Sequence, residues 1–122
     1  MEYHKLGAFV FLHSHGNINP ILKYIVKAGF DAINPLDTSE GIDLKDVKEK
    51  YGEEITLVSQ PSSVILERLE RSEIYSYVKN QFDICAPGGG FIYFGVIVYM
   101  ELNKALNYIK CVERPKKYPL RP

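Results

Sequence analysis

The chain has 122 residues, enough for one hydrophobic core and too few for two ordinary domains. Its 46% hydrophobic and 25% charged residues are typical of a globular protein, and 15 basic residues balance 15 acidic ones. This balance argues against a nucleic-acid-binding surface, and no apolar run approaches the ~20 residues of a membrane-spanning helix. We therefore expect no nucleic-acid partner and no membrane partner.

The cysteines and the N-terminus favour a cytoplasmic location. Cys85 and Cys111 lie far apart in helical patterns, so they indicate no disulfide framework. The N-terminal MEYHKLG lacks the pattern of a signal peptide. We expect one domain over residues 1–114, followed by a proline-rich tail over residues 115–122.

The first two elements are a strand and a helix. The continuous apolar run GAFVFLH predicts a strand that is covered on both faces. The next segment, GNINPILKYIVKAGF, predicts a helix with Pro20 in its first turn and Gly29 as a left-handed C-terminal cap. Its expected apolar face comprises Ile21, Leu22, Ile25, Val26 and Ala28.

Two further strand–helix units follow. The run DAINPLD predicts the second strand, and DLKDVKEKYG predicts a helix with Asp43 as N-cap and Gly52 at its end. The run EITLVSQ predicts the third strand, followed by a short helix and a longer one capped by Ser72. The residues expected to face inward are Leu44, Val47 and Tyr51, then Ile74, Val78, Phe82 and Cys85.

The fourth run, GFIYFGVIVYM, predicts another strand, and ELNKALNYIKCVE predicts the last helix. The apolar stripe of this helix comprises Leu102, Ala105, Leu106, Ile109 and Val112. Four strand–helix units in alternation predict an α/β domain with parallel strands and right-handed crossovers.

Ligands of parallel α/β folds bind at the carboxyl ends of the strands. Here the polar residues expected at that rim are His13, His15, Asn17, Asn34, Asp37, Ser39, Glu40, Ser59 and Gln60. His13 and His15 would lie on one side of the pleat, as two metal ligands do, but two ligands make an incomplete zinc site. Asn17 and the DTSEG segment also suit plain helix starts and capping turns.

Several ordered stretches resemble the C-terminal half of the uroporphyrinogen decarboxylase family, which includes zinc-dependent methyltransferases acting on corrinoid proteins and coenzyme M. These stretches are FLHSHGNINPILKYIVKAGFDAINPLD, SEGIDLKDVKEKYGEEITLV and DICAPGGGFIY. The resemblance implies a (β/α)₈ barrel of which this chain supplies a parallel (βα)₄ half. Eight units take ~250 residues, which agrees with the four units counted here.

Only some of the family's site residues are present in this sequence. In the methyltransferase branch His13 matches a zinc ligand and His15 stands at a cysteine ligand position, whereas Gly89 replaces the later cysteine. In the decarboxylase branch a Gly-His-x-Ile-type segment after the last strand is missing here, and SQPS replaces a Gly-Asn-x-Asp turn. The resemblance implies a site of His13, His15, Asn17, Asp37 and Glu40, with zinc on the two histidines and a tetrapyrrole or corrinoid-type ligand.

A half-barrel has two unpaired edges and an exposed apolar concave face. Uroporphyrinogen carries eight carboxylates, and the expected rim offers no arginine to bind them. We therefore expect a decarboxylase-family chain that is inactive alone, or a zinc-dependent methyltransferase-like module, or a non-catalytic truncated subunit. A homo-oligomer or a separate N-terminal half-barrel chain would cover the exposed surfaces.

Overall fold

The alternating apolar and amphipathic segments form alternating strands and helices. The computed structural model describes residues 1–94 and 102–112, so the tail and most of the fourth apolar run lie outside the described residues. Short 3₁₀ helices span Glu2–Leu6 and Thr38–Glu40. In chain order the strands and helices are β1 (Phe11–His13), α1 (Leu22–Lys27), β2 (Ala32–Leu36), α2 (Leu44–Tyr51), β3 (Thr56–Ser59), α3 (Ser63–Arg68), α4 (Arg71–Cys85), β4 (Phe91–Tyr93) and α5 (Leu102–Val112).

The four strands form one sheet in the order β1-β2-β3-β4, and all neighbouring pairs are parallel. The predicted parallel α/β fold is therefore confirmed. The sequential strand order is compatible with half of a (β/α)₈ barrel. Among the helices of the described residues, none has the length and apolar character needed to cross a bilayer.

One face of the sheet carries the main core. The register aligns Leu12, Ile33, Leu57 and Phe91 in one row across the four strands. This row packs against side chains of α1, α2 and α4, such as Leu22, Val47 and Cys85. Because these helices pack on the same row, they all cover the same face of the sheet.

Within residues 1–94 and 102–112, no helix covers the opposite face of the sheet at its edges. Strand residues alternate between faces, so Phe11 and Ile92 point away from the helices. Phe11 is 56% exposed and Ile92 is 43% exposed. The expectation that the first strand is covered on both faces was wrong, because the core helices pack against only one of them.

The first helix is shorter than predicted. It begins at Leu22, so Pro20 lies in the preceding turn, and Ile21 and Ala28 are exposed rather than part of the apolar face. Leu22 and Ile25 alone are fully buried in α1. Gly29 has the predicted left-handed conformation, with φ of 83°.

Helix starts follow their capping groups. Asp43 caps α2 as predicted, since its Oδ1 accepts hydrogen bonds from the backbone N–H groups of Lys45 and Asp46. The predicted cap of the longer helix, Ser72, was wrong. Helix α4 begins at Arg71, because the Glu73 carboxylate accepts a hydrogen bond from the backbone N–H of Glu70 at 2.7 Å.

The last helix buries only part of the predicted apolar stripe. Ala105 and Tyr108 are buried, and Tyr108 belongs to a second core cluster with Leu66, Ile74 and Val78. Leu102, Leu106 and Ile109 are exposed. Of the predicted stripe, Ala105 is therefore buried, and these three side chains lie at the surface.

Candidate functional site

The carboxyl ends of the parallel strands bring His13 beside Asn34. The register pairs these two residues directly across β1 and β2. His13 Nδ1 lies 2.7 Å from Asn34 Oδ1. The amide oxygen accepts, so His13 Nδ1 carries the proton and donates it.

The loop after β2 brings Glu40 to His15. Asp37 caps the 3₁₀ helix Thr38–Glu40, which ends at the left-handed Gly41 with φ of 83°. Glu40 Oε1 lies 2.9 Å from His15 Nδ1, and an ionised carboxylate accepts hydrogen bonds without donating any. Glu40 Oε2 is buried and has no hydrogen-bond partner within the part of the chain described.

These contacts fix how both imidazoles are oriented. In each neutral ring Nδ1 carries the proton. The lone pair of Nε2 is then left for a metal ion or a hydrogen-bond donor. Metal-binding histidines are held in this way, with the second ring nitrogen donating to a carboxylate or carbonyl oxygen. Asn34 and Glu40 occupy the supporting positions of such a site.

The two rings also lie at a distance suited to a shared ion. Their centroids are 5.1 Å apart and their planes are inclined by 79°. Two imidazoles on one tetrahedral zinc, with Zn–N bonds of about 2.0–2.1 Å, place their ring centres roughly 5 Å apart. The two histidine rings thus lie next to each other at the end of β1.

One chain supplies an incomplete ligand set. Among the described residues, no group of three or more His, Cys, Asp or Glu side chains is arranged to hold a metal ion. Gly89, which the resemblance aligns with a cysteine ligand, precedes β4 and so lies at the amino end of the sheet. Its carbonyl accepts a hydrogen bond from Lys48 Nζ at 2.7 Å.

Asn17 and Asp37 make turns at the rim. Asn17 Oδ1 accepts a hydrogen bond from the backbone N–H of Asn19 at 3.1 Å. Asp37 is 6% exposed, and its Oδ1 accepts from the backbone N–H and the hydroxyl of Ser39. In this structure both side chains stabilise the loops that carry the histidines and Glu40.

Ser59 does not join the rim as expected. It shares the helix-facing side of β3 with Leu57, and it is fully buried. Its hydroxyl lies 2.6 Å from Gln81 Oε1 and 3.1 Å from the Leu36 carbonyl oxygen. Gln81, buried in the middle of α4, carries no sequence signal that distinguishes it from a solvent-facing helix residue.

Cys85 is a buried core residue, as its place on the inward face of the predicted helix indicated. It belongs to the main cluster and is 0% exposed. Burial raises the pKa of its thiol to about 11, although nearby Lys48 acts in the opposite direction. The thiol is therefore protonated at neutral pH and is a poor nucleophile.

A cavity of about 480 Å³ opens between the loop after β2 and α4. Thr38 and Tyr77 line it, and their hydroxyl oxygens are 3.1 Å apart. Burial raises the pKa of the Tyr77 phenol, so this group stays neutral. Neither rim histidine lines this cavity.

No family model and no curated protein matches this chain.

Proposed function

We propose that this chain is a (βα)₄ half-barrel of the uroporphyrinogen decarboxylase type that binds zinc at its rim through His13 and His15. The observation that carries the proposal is the pair of imidazoles whose Nδ1 atoms donate to Asn34 and Glu40, with ring centres 5.1 Å apart. Their Nε2 atoms are the ligand atoms. The sequential parallel strand order supports the half-barrel.

The chemistry of the site follows from zinc and its supporting groups. Bound zinc would hold a substrate thiol as its thiolate, which is the form that accepts a methyl group. Glu40 sets the orientation of His15 through its hydrogen bond, and Asn34 does the same for His13. This arrangement favours the methyltransferase-like branch, with the remaining ligands supplied from outside this chain.

Decarboxylation of uroporphyrinogen is the weaker candidate. The rim loops over residues 14–21, 37–43 and 60–62 contain no arginine or lysine. A substrate with many carboxylates needs several such cations for binding. Tetrapyrrole binding by this rim alone is therefore disfavoured.

Cobalt(II) substitution tests the proposal, since its visible spectrum reports ligand number and geometry. We expect the chain to bind Co²⁺, with Zn²⁺ displacing it, and the His13→Ala and His15→Ala variants to bind at least tenfold more weakly. His4→Ala is the matched control, because His4 bonds to Asp31 away from the rim. Unchanged affinity in both rim variants would refute the zinc site.

A further inference from the structure

In the part of the chain that the structure describes, the exposed large hydrophobic side chains lie near the two ends of the sequence. Twelve large hydrophobic side chains of the described residues are exposed, and none of them falls between residues 25 and 91. Such a distribution differs from the scattered exposed side chains of an ordinary monomer surface. The twelve are Met1, Tyr3, Leu6, Phe9, Phe11, Ile21 and Tyr24 at one end, and Ile92, Phe94, Leu102, Leu106 and Ile109 at the other.

These two ends of the chain are the two edges of the sheet. β1 and β4 are the edge strands, so each has one unpaired side. Phe11 on β1 and Tyr24 on α1 are exposed at one edge, at 56% and 59%. Ile92 on β4 and Leu106 on α5 are exposed at the other edge, at 43% and 42%.

The two edges are complementary in direction. All four strands are parallel, so the free side of β4 can accept a parallel strand, and β1 is such a strand. A second copy related by a two-fold axis would form this β1–β4 contact twice. The result has eight strands, the number that closes a barrel with a filled interior.

We infer that two copies of this chain close into an eight-stranded parallel barrel, with β1 of each copy beside β4 of the other. At each seam α1 of one copy packs beside α5 of its neighbour, which buries Tyr24 against Leu106. The formal net charge of zero means that no net repulsion opposes the pairing.

This assembly would complete the rim. Each copy contributes one His13–His15 pair to the shared mouth, and the two-fold axis places the two pairs on opposite sides of it. The inference goes beyond the proposed zinc site and does not depend on it, because it follows from the exposed side chains and the strand order. The assembly is therefore tested in the presence of a chelator, where failure of zinc binding has no effect.

Sedimentation velocity of the 122-residue chain in EDTA is the first test. We expect a species of about 28 kDa, twice the chain mass of 13.9 kDa. A monomer throughout the micromolar range would overturn the inference. An open series of higher oligomers would overturn it too, because a closed barrel stops at two copies.

Paired charge variants test the seam itself. The double variants Tyr24→Lys/Leu106→Lys and Tyr24→Glu/Leu106→Glu each place like charges at both seams, and we expect each dimer to weaken at least tenfold. Mixing the two variants places opposite charges at both seams and should restore the 28 kDa species. Ser76→Lys, an exposed position on α4, is the control and should remain dimeric.

Circular dichroism of each variant verifies that it is folded, and all three positions are exposed. A Tyr24→Lys/Leu106→Lys variant that stays dimeric would show that these side chains do not meet. Folded variants that stay monomeric after mixing would likewise overturn the proposed seam.

Discussion

His15 donates a hydrogen bond from Nδ1 to Glu40 Oε1, 2.9 Å away and 25 residues further along the chain. This contact joins the ends of β1 and β2 and leaves His15 Nε2 available. The same arrangement at His13 uses Asn34, whose oxygen is 2.7 Å away. The candidate site is thus two supported imidazoles and not merely two histidines near a turn.

Removal of the supporting carboxylate should weaken metal binding without removing a ligand. We expect Glu40→Ala to raise the zinc dissociation constant by about 10- to 100-fold, as loss of such hydrogen-bond partners does elsewhere. Competitive titration against a chromophoric chelator measures the change. Glu49→Ala, an exposed glutamate on α2, is the control, and an effect equal to that of Glu40→Ala would contradict the supporting role.

The buried Ser59–Gln81 pair should behave as a coupled unit. Ser59→Ala leaves Gln81 Oε1 buried without its donor, so we expect a loss of about 1–3 kcal/mol in the free energy of unfolding. Gln81→Leu in the same chain should recover much of that loss, since both polar groups are then gone. Urea denaturation measures both values, with Ser76→Ala as the exposed control.

If the Ser59→Ala and Gln81→Leu effects simply add, the two side chains are not coupled. That outcome would contradict the hydrogen bond as the main role of Ser59.

The Cys85 thiol should resist alkylation in the folded protein. Its pKa is raised to about 11 from an ordinary value of 9.0, chiefly by burial. In a Cys111→Ser background, we expect iodoacetamide at pH 8 to modify Cys85 only after unfolding. Modification of the native chain at the rate of a free thiol would contradict its buried position.

The same pKa shift predicts a pH dependence of stability. The unfolded thiol loses its proton near pH 9, whereas the folded thiol keeps it up to about pH 11. The folded state therefore binds more protons in this window, and stability should fall as the pH rises from 9 to 11. Cys85→Ala should reduce this slope in denaturation curves measured at each pH.

Asp31 should anchor the segment that precedes β1. Its Oδ2 accepts hydrogen bonds from the Val10 backbone N–H at 2.6 Å and from His4 Nε2 at 2.8 Å. These bonds lower the pKa of Asp31, with the Val10 bond as the larger cause, so the stabilisation should fade as the pH falls below about 3.8. We expect Asp31→Ala to speed amide exchange at Val10, and unchanged exchange would contradict the anchor.

Local patterns predicted much of the fold. The alternation of apolar runs and amphipathic segments was enough for a parallel α/β sheet, and the Asp43 cap and the Gly29 turn were confirmed. These features depend on short-range hydrogen bonding and backbone conformation, which neighbouring residues determine. The placement of His13 and His15 at a strand end followed from the same alternation.

Tertiary contacts explain what the sequence did not predict. The predicted stripe of α5 included Ala105, which is buried, but the pattern did not show that Tyr108 would be buried beside it while Leu102, Leu106 and Ile109 stay exposed. Likewise, the rim residues were predicted as a set, whereas the pairing of His15 with Glu40 depends on how the β2–α2 loop folds. No local pattern carries that information.

The most direct test of the rim site is ¹⁵N NMR of the histidine rings during zinc titration. We expect Nε2 of both His13 and His15 to shift to the range of a metal-bound nitrogen, while both Nδ1 atoms remain protonated and His4 is unchanged. Nε2 resonances of His13 and His15 that stay unaltered at saturating zinc would contradict it.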